Sequence, residues 1–146
     1  MDREKRALVE QLSGLSSLRG CSKSDLEALA EAGRITQLPA GWPFVTQGEP
    51  ADACYFLLSG AARVFFQRDE VAQLGPGDII GEMAFLGGGQ RGATVTSSSK
   101  VSALRIENDA LQDIVSKHPN VKGALQDVYN AHTSSSAQAA PAQTSE

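Results

Sequence analysis

Glu82 and Arg91 stand nine positions apart, on either side of a loop that contains Gly87, Gly88 and Gly89. A guanidinium presents a planar fork that matches two oxygens of a phosphate-like anion. A carboxylate accepts hydrogen bonds from a sugar hydroxyl. Gly81 and Ala84 allow backbone N–H groups to approach an anion closely, and Met83-Ala84-Phe85-Leu86 is long enough for one helical turn with free N–H donors. These residues have the chemistry to hold a small anion that carries a sugar. The same Glu and Arg also read as a surface ion pair beside a flexible turn, worth less than about 1 kcal/mol. Local chemistry leaves both readings open.

A loop of this kind needs a rigid frame. Ile79-Ile80 is an apolar strand end that runs into Gly81, and Thr94-Val95-Thr96 is a β-branched strand that starts just after Arg91. Between residues 35 and 106 the apolar pattern alternates or falls into short runs, predicting strands near 35–38, 43–46, 54–59, 61–67, 70–74, 79–80, 92–98 and 101–106. Turn signals separate them: Pro39-Ala40-Gly41, Gln47-Gly48-Glu49-Pro50, Ser59-Gly60, Arg68-Asp69-Glu70 and Gly75-Pro76-Gly77-Asp78. Of the 14 glycines, 11 lie from Gly33 to Gly92. Evenly spaced short strands predict an eight-stranded antiparallel β-barrel of the jelly-roll type, which leaves few exposed edges.

Helical spacing flanks the strands. Leu8, Leu12 and Leu15, with Val9 beside them, share one face. Ser22 and Asp25 form a capping box for a helix whose stripe is Leu26, Leu29 and Ala30, with Gly33 as its stop. Leu111, Ile114 and Val115 define a third helix, and Pro119 interrupts it because proline disfavours the α conformation at His118. Val121, Leu125, Val128 and Tyr129 define a last one. The expected organisation is one domain over 1–132, with helices in 1–34, the barrel in 35–106 and helices in 107–132. Residues 133–146 are Ser, Ala, Gln, Thr and Pro with one Glu, and are expected to be a disordered polar tail.

Composition narrows the function classes. Thirteen basic against 17 acidic residues give a net charge of −4, which argues against a nucleic-acid-binding face. No apolar run approaches a membrane span and the N-terminus lacks a secretory pattern, so the expected location is cytoplasmic. Cys21 and Cys54 fit neither a disulfide framework nor a zinc site, and Cys54 reads as a core residue. His118 and His132 lie outside the strands, so a cupin-like metal enzyme is not expected. His118 reads as a surface helix terminus. No nucleophile and base fall together, and the expectation is a protein that is not an enzyme.

Gly81-Glu82-Met83-Ala84-Phe85-Leu86 followed by Gln90-Arg91-Gly92-Ala93-Thr94-Val95 resembles the phosphate-binding cassette of cyclic-nucleotide-binding domains. Leu38-Pro39-Ala40-Gly41, Thr46-Gln47-Gly48-Glu49-Pro50, Tyr55-Phe56-Leu57-Leu58-Ser59-Gly60 and Leu74-Gly75-Pro76-Gly77-Asp78 resemble the same family's barrel signatures, in the same order. The resemblance covers roughly residues 15–130.

The resemblance implies roles. Glu82 accepts from the ribose 2′-hydroxyl, and Arg91 pairs with the phosphate oxygens. Backbone amides around Met83, Ala84 and Ala93 complete the phosphate site, and Gly81 permits the tight approach. The last helix is a lid that brings Leu125, Val128 or Tyr129 to the base. Gly92 lacks the hydroxyl that cGMP-preferring relatives place there, so cAMP is the expected ligand. Gln90 replaces a proline common in eukaryotic relatives, which loosens the loop. Only 28 residues follow His118, too few for the helix-turn-helix of the family's transcription factors. The expected output is therefore a protein partner rather than DNA, RNA or a membrane. The chain is expected to be a monomer or weak homodimer. The alternative is a barrel that no longer responds to nucleotide and serves as a structural or interaction module.

Overall fold

Strands buried on both faces lose the in-out alternation of a half-exposed sheet and become nearly continuous apolar runs. Ala53–Ser59 and Val101–Glu107 are of this kind, and they pair antiparallel at the centre of one sheet. The computed structural model describes residues 3–45, 52–81 and 94–128. Their strands are β1 (Arg34–Leu38), β2 (Pro43–Val45), β3 (Ala53–Ser59), β4 (Ala62–Phe66), β5 (Asp69–Leu74), β6 (Ile79–Ile80), β7 (Thr94–Ser97) and β8 (Val101–Glu107). They form two four-stranded antiparallel sheets, β1-β8-β3-β6 and β2-β7-β4-β5. This is the expected jelly roll, built as two facing sheets, and no ladder among the described residues closes them into one continuous ring.

Each expected strand is present, most with ends shifted by a residue or two; residues 46, 92 and 93 of two of the expected strands lie outside the described residues. The β4–β5 hairpin turns at Gln67 and Arg68 rather than at Arg68-Asp69-Glu70. Gln67 takes a positive φ of 60° there, and Asp69 already pairs with Phe66. Gly60 joins β3 to β4 at φ +90°, where a Cβ would strike the Lys100 carbonyl and Val101.

Two cores lie on opposite faces of the β1-β8-β3-β6 sheet. Cys54, Phe56, Leu58, Leu104 and Ile106 face the helices. Leu57, Ile80, Val101 and Ala103 face the second sheet and share a core with its Phe44 and Val95. Burying side chains of this size contributes about 1.5–3 kcal/mol each relative to exposure.

The helices cover the first of these faces. Helix α1 (Arg3–Ser13) buries Leu8, Val9 and Leu12, and a single tight turn, Ser16–Leu18, buries Leu18. Helix α2 (Lys23–Ala32) buries Leu26, Leu29 and Ala30. Both bonds of its capping box form: Asp25 N–H donates to Ser22 Oγ at 3.2 Å, and Ser22 N–H donates to Asp25 Oδ2 at 2.8 Å. Helix α3 (Asn108–Lys117) buries Leu111 and Ile114 and ends at His118, which takes a non-helical conformation before Pro119. Residues 119–128 form a further helix, with Val121 and Leu125 fully buried.

Candidate ligand-binding site

The two ends of the glycine-rich cassette leave the sheets at one end of the sandwich. Ile80, the last residue of β6, pairs with Tyr55 of β3, and Tyr55 pairs with Arg105 of β8. Gly81 follows that row directly. It has φ +97°, a left-handed conformation that suits glycine because it has no Cβ. The chain rejoins the second sheet at Thr94, which pairs with Phe65 of β4. Glu82, Met83, Ala84, Arg91, Gly92 and Ala93 lie outside the described residues, as do Tyr129 and His132.

The turn before β6 is held from both sides. Asp78 Oδ2 accepts from Gly75 N–H at 2.8 Å, closing the turn on itself. Leu57 N–H donates to the Asp78 carbonyl, and Gly77 N–H to the Leu57 carbonyl, each at 2.9 Å. Ser17 Oγ donates to the Gly77 carbonyl, tying the turn to the N-terminal helices. The strand that delivers Gly81 and Glu82 is thus fixed to β3 and to the helical layer.

Between the sheets the surface at this end is aromatic and charged. Phe44 of β2 meets Tyr55 edge-on, with ring centroids 5.4 Å apart and an interplanar angle of 70°. The Arg105 guanidinium lies 6.0 Å from the Tyr55 ring centroid, and its Nε donates to the Tyr55 hydroxyl at 3.3 Å. Arg105 also bonds Glu107 and lies 3.8 Å from an Asp52 carboxylate oxygen. The bonds to Glu107 and Tyr55 raise the Arg105 pKa further, against the opposing effect of burial. Asp52 is anchored by its backbone, since Asn108 N–H donates to its carbonyl at 3.0 Å.

The sequence reading missed Tyr55, Arg105, Asp52 and Glu107 as a group. The signal was present: Val101, Ala103 and Arg105 occupy alternate positions of one strand, which places a cation on the same face as two core residues.

Two expectations are corrected by the helical layer. Leu125 is fully buried in the helix-side core, and Val128 packs against that same core rather than between the sheets. Leu125 and Val128 share that core with Leu8 and Leu12 of α1 and with Leu26 and Leu29 of α2. His118 is not a free surface terminus. Its Nδ1 lies 2.8 Å from Asp25 Oδ1, and its side chain is 22% exposed. Asn120 Nδ2 donates to Asp25 Oδ2 at 3.0 Å. Burial acts to raise the Asp25 pKa, but bonds from the Ser22 backbone, Asn120, His118 and the Ser22 hydroxyl outweigh it and hold the carboxyl down to about 2.

Among the described residues no group of three or more His, Cys, Asp and Glu side chains is arranged to hold a metal ion. No helix of the described residues is long and apolar enough to cross a membrane.

Residues 35–118 match the family model described as cyclic nucleotide-binding domain. The chain is 33% identical over 96 residues to a cyclic nucleotide-gated potassium channel of Mesorhizobium japonicum, an alignment that covers 66% of this chain and 26% of the channel. The chain thus spans about a quarter of that relative's length. A solved structure described as Sp-2Cl-cAMPS bound to PKAR CBD2 superposes with a TM-score of 0.82 at 15% identity, covering 93% of this chain and 91% of the other. The regulatory subunit of a cAMP-independent protein kinase A from Trypanosoma brucei superposes with a TM-score of 0.77 at 21% identity, covering 90% of this chain and 46% of the other.

Proposed function

This chain belongs to the cyclic nucleotide-binding domain family, and from that membership we propose that it is a receptor for cAMP that signals through a protein partner. The observation that carries the reading is the junction at Gly81. The row Ile80–Tyr55–Arg105 ends there, the left-handed turn follows, and the next residues in the sequence are the cassette Glu82-Met83-Ala84. Glu82 takes the ribose 2′-hydroxyl and Arg91 the cyclic phosphate, with the amides around Met83, Ala84 and Ala93 completing the anion site. Gly92 offers no hydroxyl to a guanine amino group, which favours cAMP over cGMP. The role is that of a sensor, with no bond made or broken in the nucleotide.

Calorimetric titration of the chain with cAMP and with cGMP tests this. Binding of cAMP in or below the range of about tens of micromolar is expected, with cGMP weaker. Arg91→Ala should weaken cAMP by more than about 2 kcal/mol, because the ligand's charge loses its partner. Absence of cAMP binding in that range overturns the reading.

A second reading has one observation in its favour. The Trypanosoma brucei structure shares this fold and belongs to the regulatory subunit of a cAMP-independent protein kinase A. A barrel of this kind can serve as an interaction module without responding to cAMP. No thermal shift with any cyclic nucleotide, together with a stable complex with a partner protein, would favour that reading.

A further inference from the structure

We propose that the outer edge of β1 is the surface through which two copies of this chain pair, antiparallel and about a two-fold axis at Thr36. Among the described residues the edge strands are β1 and β6 in one sheet and β2 and β5 in the other. Three of them carry features that discourage a further strand. β6 is two residues long. β2 is three residues long, starts at Pro43, and its ladder slips register. β5 opens with Asp69 and Glu70, and its ladder with β4 also slips. β1 differs: its five residues pair with β8 in unbroken register, and Arg34 at its start is its single charge. Exposed apolar surface gathers at the same edge. Ile35 is 52% exposed, and Trp42, four positions past the end of β1, is 53% exposed. These are the large apolar side chains left in solvent among the described residues.

The sequence of β1 suits a second copy of itself. With Thr36 on the axis all five residues overlap, Ile35 falls opposite Gln37 of the other copy, and Arg34 falls opposite Leu38. The two Ile35 side chains then share a face as diagonal neighbours about 7–8 Å apart, a spacing that long side chains bridge. The two Arg34 charges stay four residues apart along the strands, about 14 Å, beyond the roughly 8 Å over which exposed charges act at physiological salt. Within its own sheet Arg34 lies opposite another cation, Arg105, and has no ion-pair partner among the described residues. Pairing carries each Arg34 to the Leu38 end of the other copy, from which the turn to Trp42 leaves, and an indole face there suits a guanidinium. The joined sheet runs β6-β3-β8-β1 up to the axis and back again. Five residues a side are far fewer than the roughly 20–30 of a stable interface, so the dimer is weak, with a Kd between about 0.1 and 1 mM. β1 is the edge opposite β6, from which the cassette departs, so the pairing requires no nucleotide.

The test is sedimentation velocity of the full chain, without nucleotide, from about 0.01 to about 1 mM protein. The average mass should rise toward that of a dimer. Ile35→Lys, at an exposed edge position, should weaken association at least about tenfold while the thermal midpoint stays unchanged. Thr36→Cys should form a disulfide-linked dimer on mild oxidation, because the axis sets this residue against itself. Gln73→Cys, exposed on the β5 edge, should not. The two cysteine variants decide the question even where Ile35→Lys fails to fold. A native chain that stays monomeric up to about 1 mM overturns the proposal. So does a dimer that a folded Ile35→Lys leaves intact, or cross-linking at position 36 no greater than at position 73.

Discussion

The imidazole Nδ1 of His118 lies 2.8 Å from Oδ1 of Asp25, 93 positions earlier in the chain. An ionised carboxylate only accepts, so Nδ1 carries the hydrogen and donates. The other Asp25 oxygen accepts from Ser22 N–H and from Asn120 Nδ2. One carboxylate thus caps α2 and fastens it to the break between α3 and the helix over 119–128. The N-terminal and C-terminal helices are joined by this group as well as by their apolar faces.

His118→Ala should reduce stability by about 1–3 kcal/mol, because it removes one partner from a buried charged acceptor. The midpoint of urea unfolding should fall while the slope stays unchanged.

Asp25 also sets an acid limit. Its carboxyl is held near 2 in the folded chain and returns to about 4 on unfolding, so the unfolded state binds the proton first. The stabilisation, about 2 kcal/mol by that shift, is complete above about pH 5 and is lost as the pH falls through 4 toward 2. Urea titrations at about pH 6 and about pH 3 should show the drop, and Asp25→Asn should flatten it.

Ser97 holds the β1–β2 turn. Its buried hydroxyl donates to the Pro39 carbonyl at 2.6 Å and accepts from Trp42 N–H at 2.9 Å. Ser97→Ala should cost about 1–3 kcal/mol through the unpaired groups left behind. Trp42 is the chain's single tryptophan and is 53% exposed, so its fluorescence should report the change in the turn directly.

Gly60→Ala should be among the most damaging single substitutions. The position needs φ +90°, and the added Cβ would press on the Lys100 backbone. Both strain and overpacking apply, with a combined cost of at least about 3 kcal/mol, visible as a lowered thermal midpoint.

Burial and the nearby Asp25 carboxylate push the Cys21 thiol up to about 11. Alkylation by iodoacetamide at neutral pH should be slow, since the thiolate is the reacting species. Asp25→Asn should speed it modestly by removing the second cause.

The eight strands were legible in the sequence because each is short, most are flanked by glycine, proline or polar turn residues, and the central ones are apolar. The capping box of α2 and the break at Pro119 were legible for the same reason: the physics is local. The cassette residues from Gly81 to Ala93 stand out along the chain by residue type and order. Other features depend on which surfaces meet. Leu125 is an apolar residue that suits a ligand or a protein core equally well, and only the tertiary structure placed it in the core shared with the α1 and α2 leucines. Arg105 is a charged residue in a strand, which by itself suggests a solvent face. The register with Tyr55 turned it toward the second sheet. Asp25 and His118 carry no mutual signal along the chain. A hydrogen bond needs its two atoms within about 3 Å, a condition that sequence spacing cannot express across a folded domain and that the tertiary structure alone supplies.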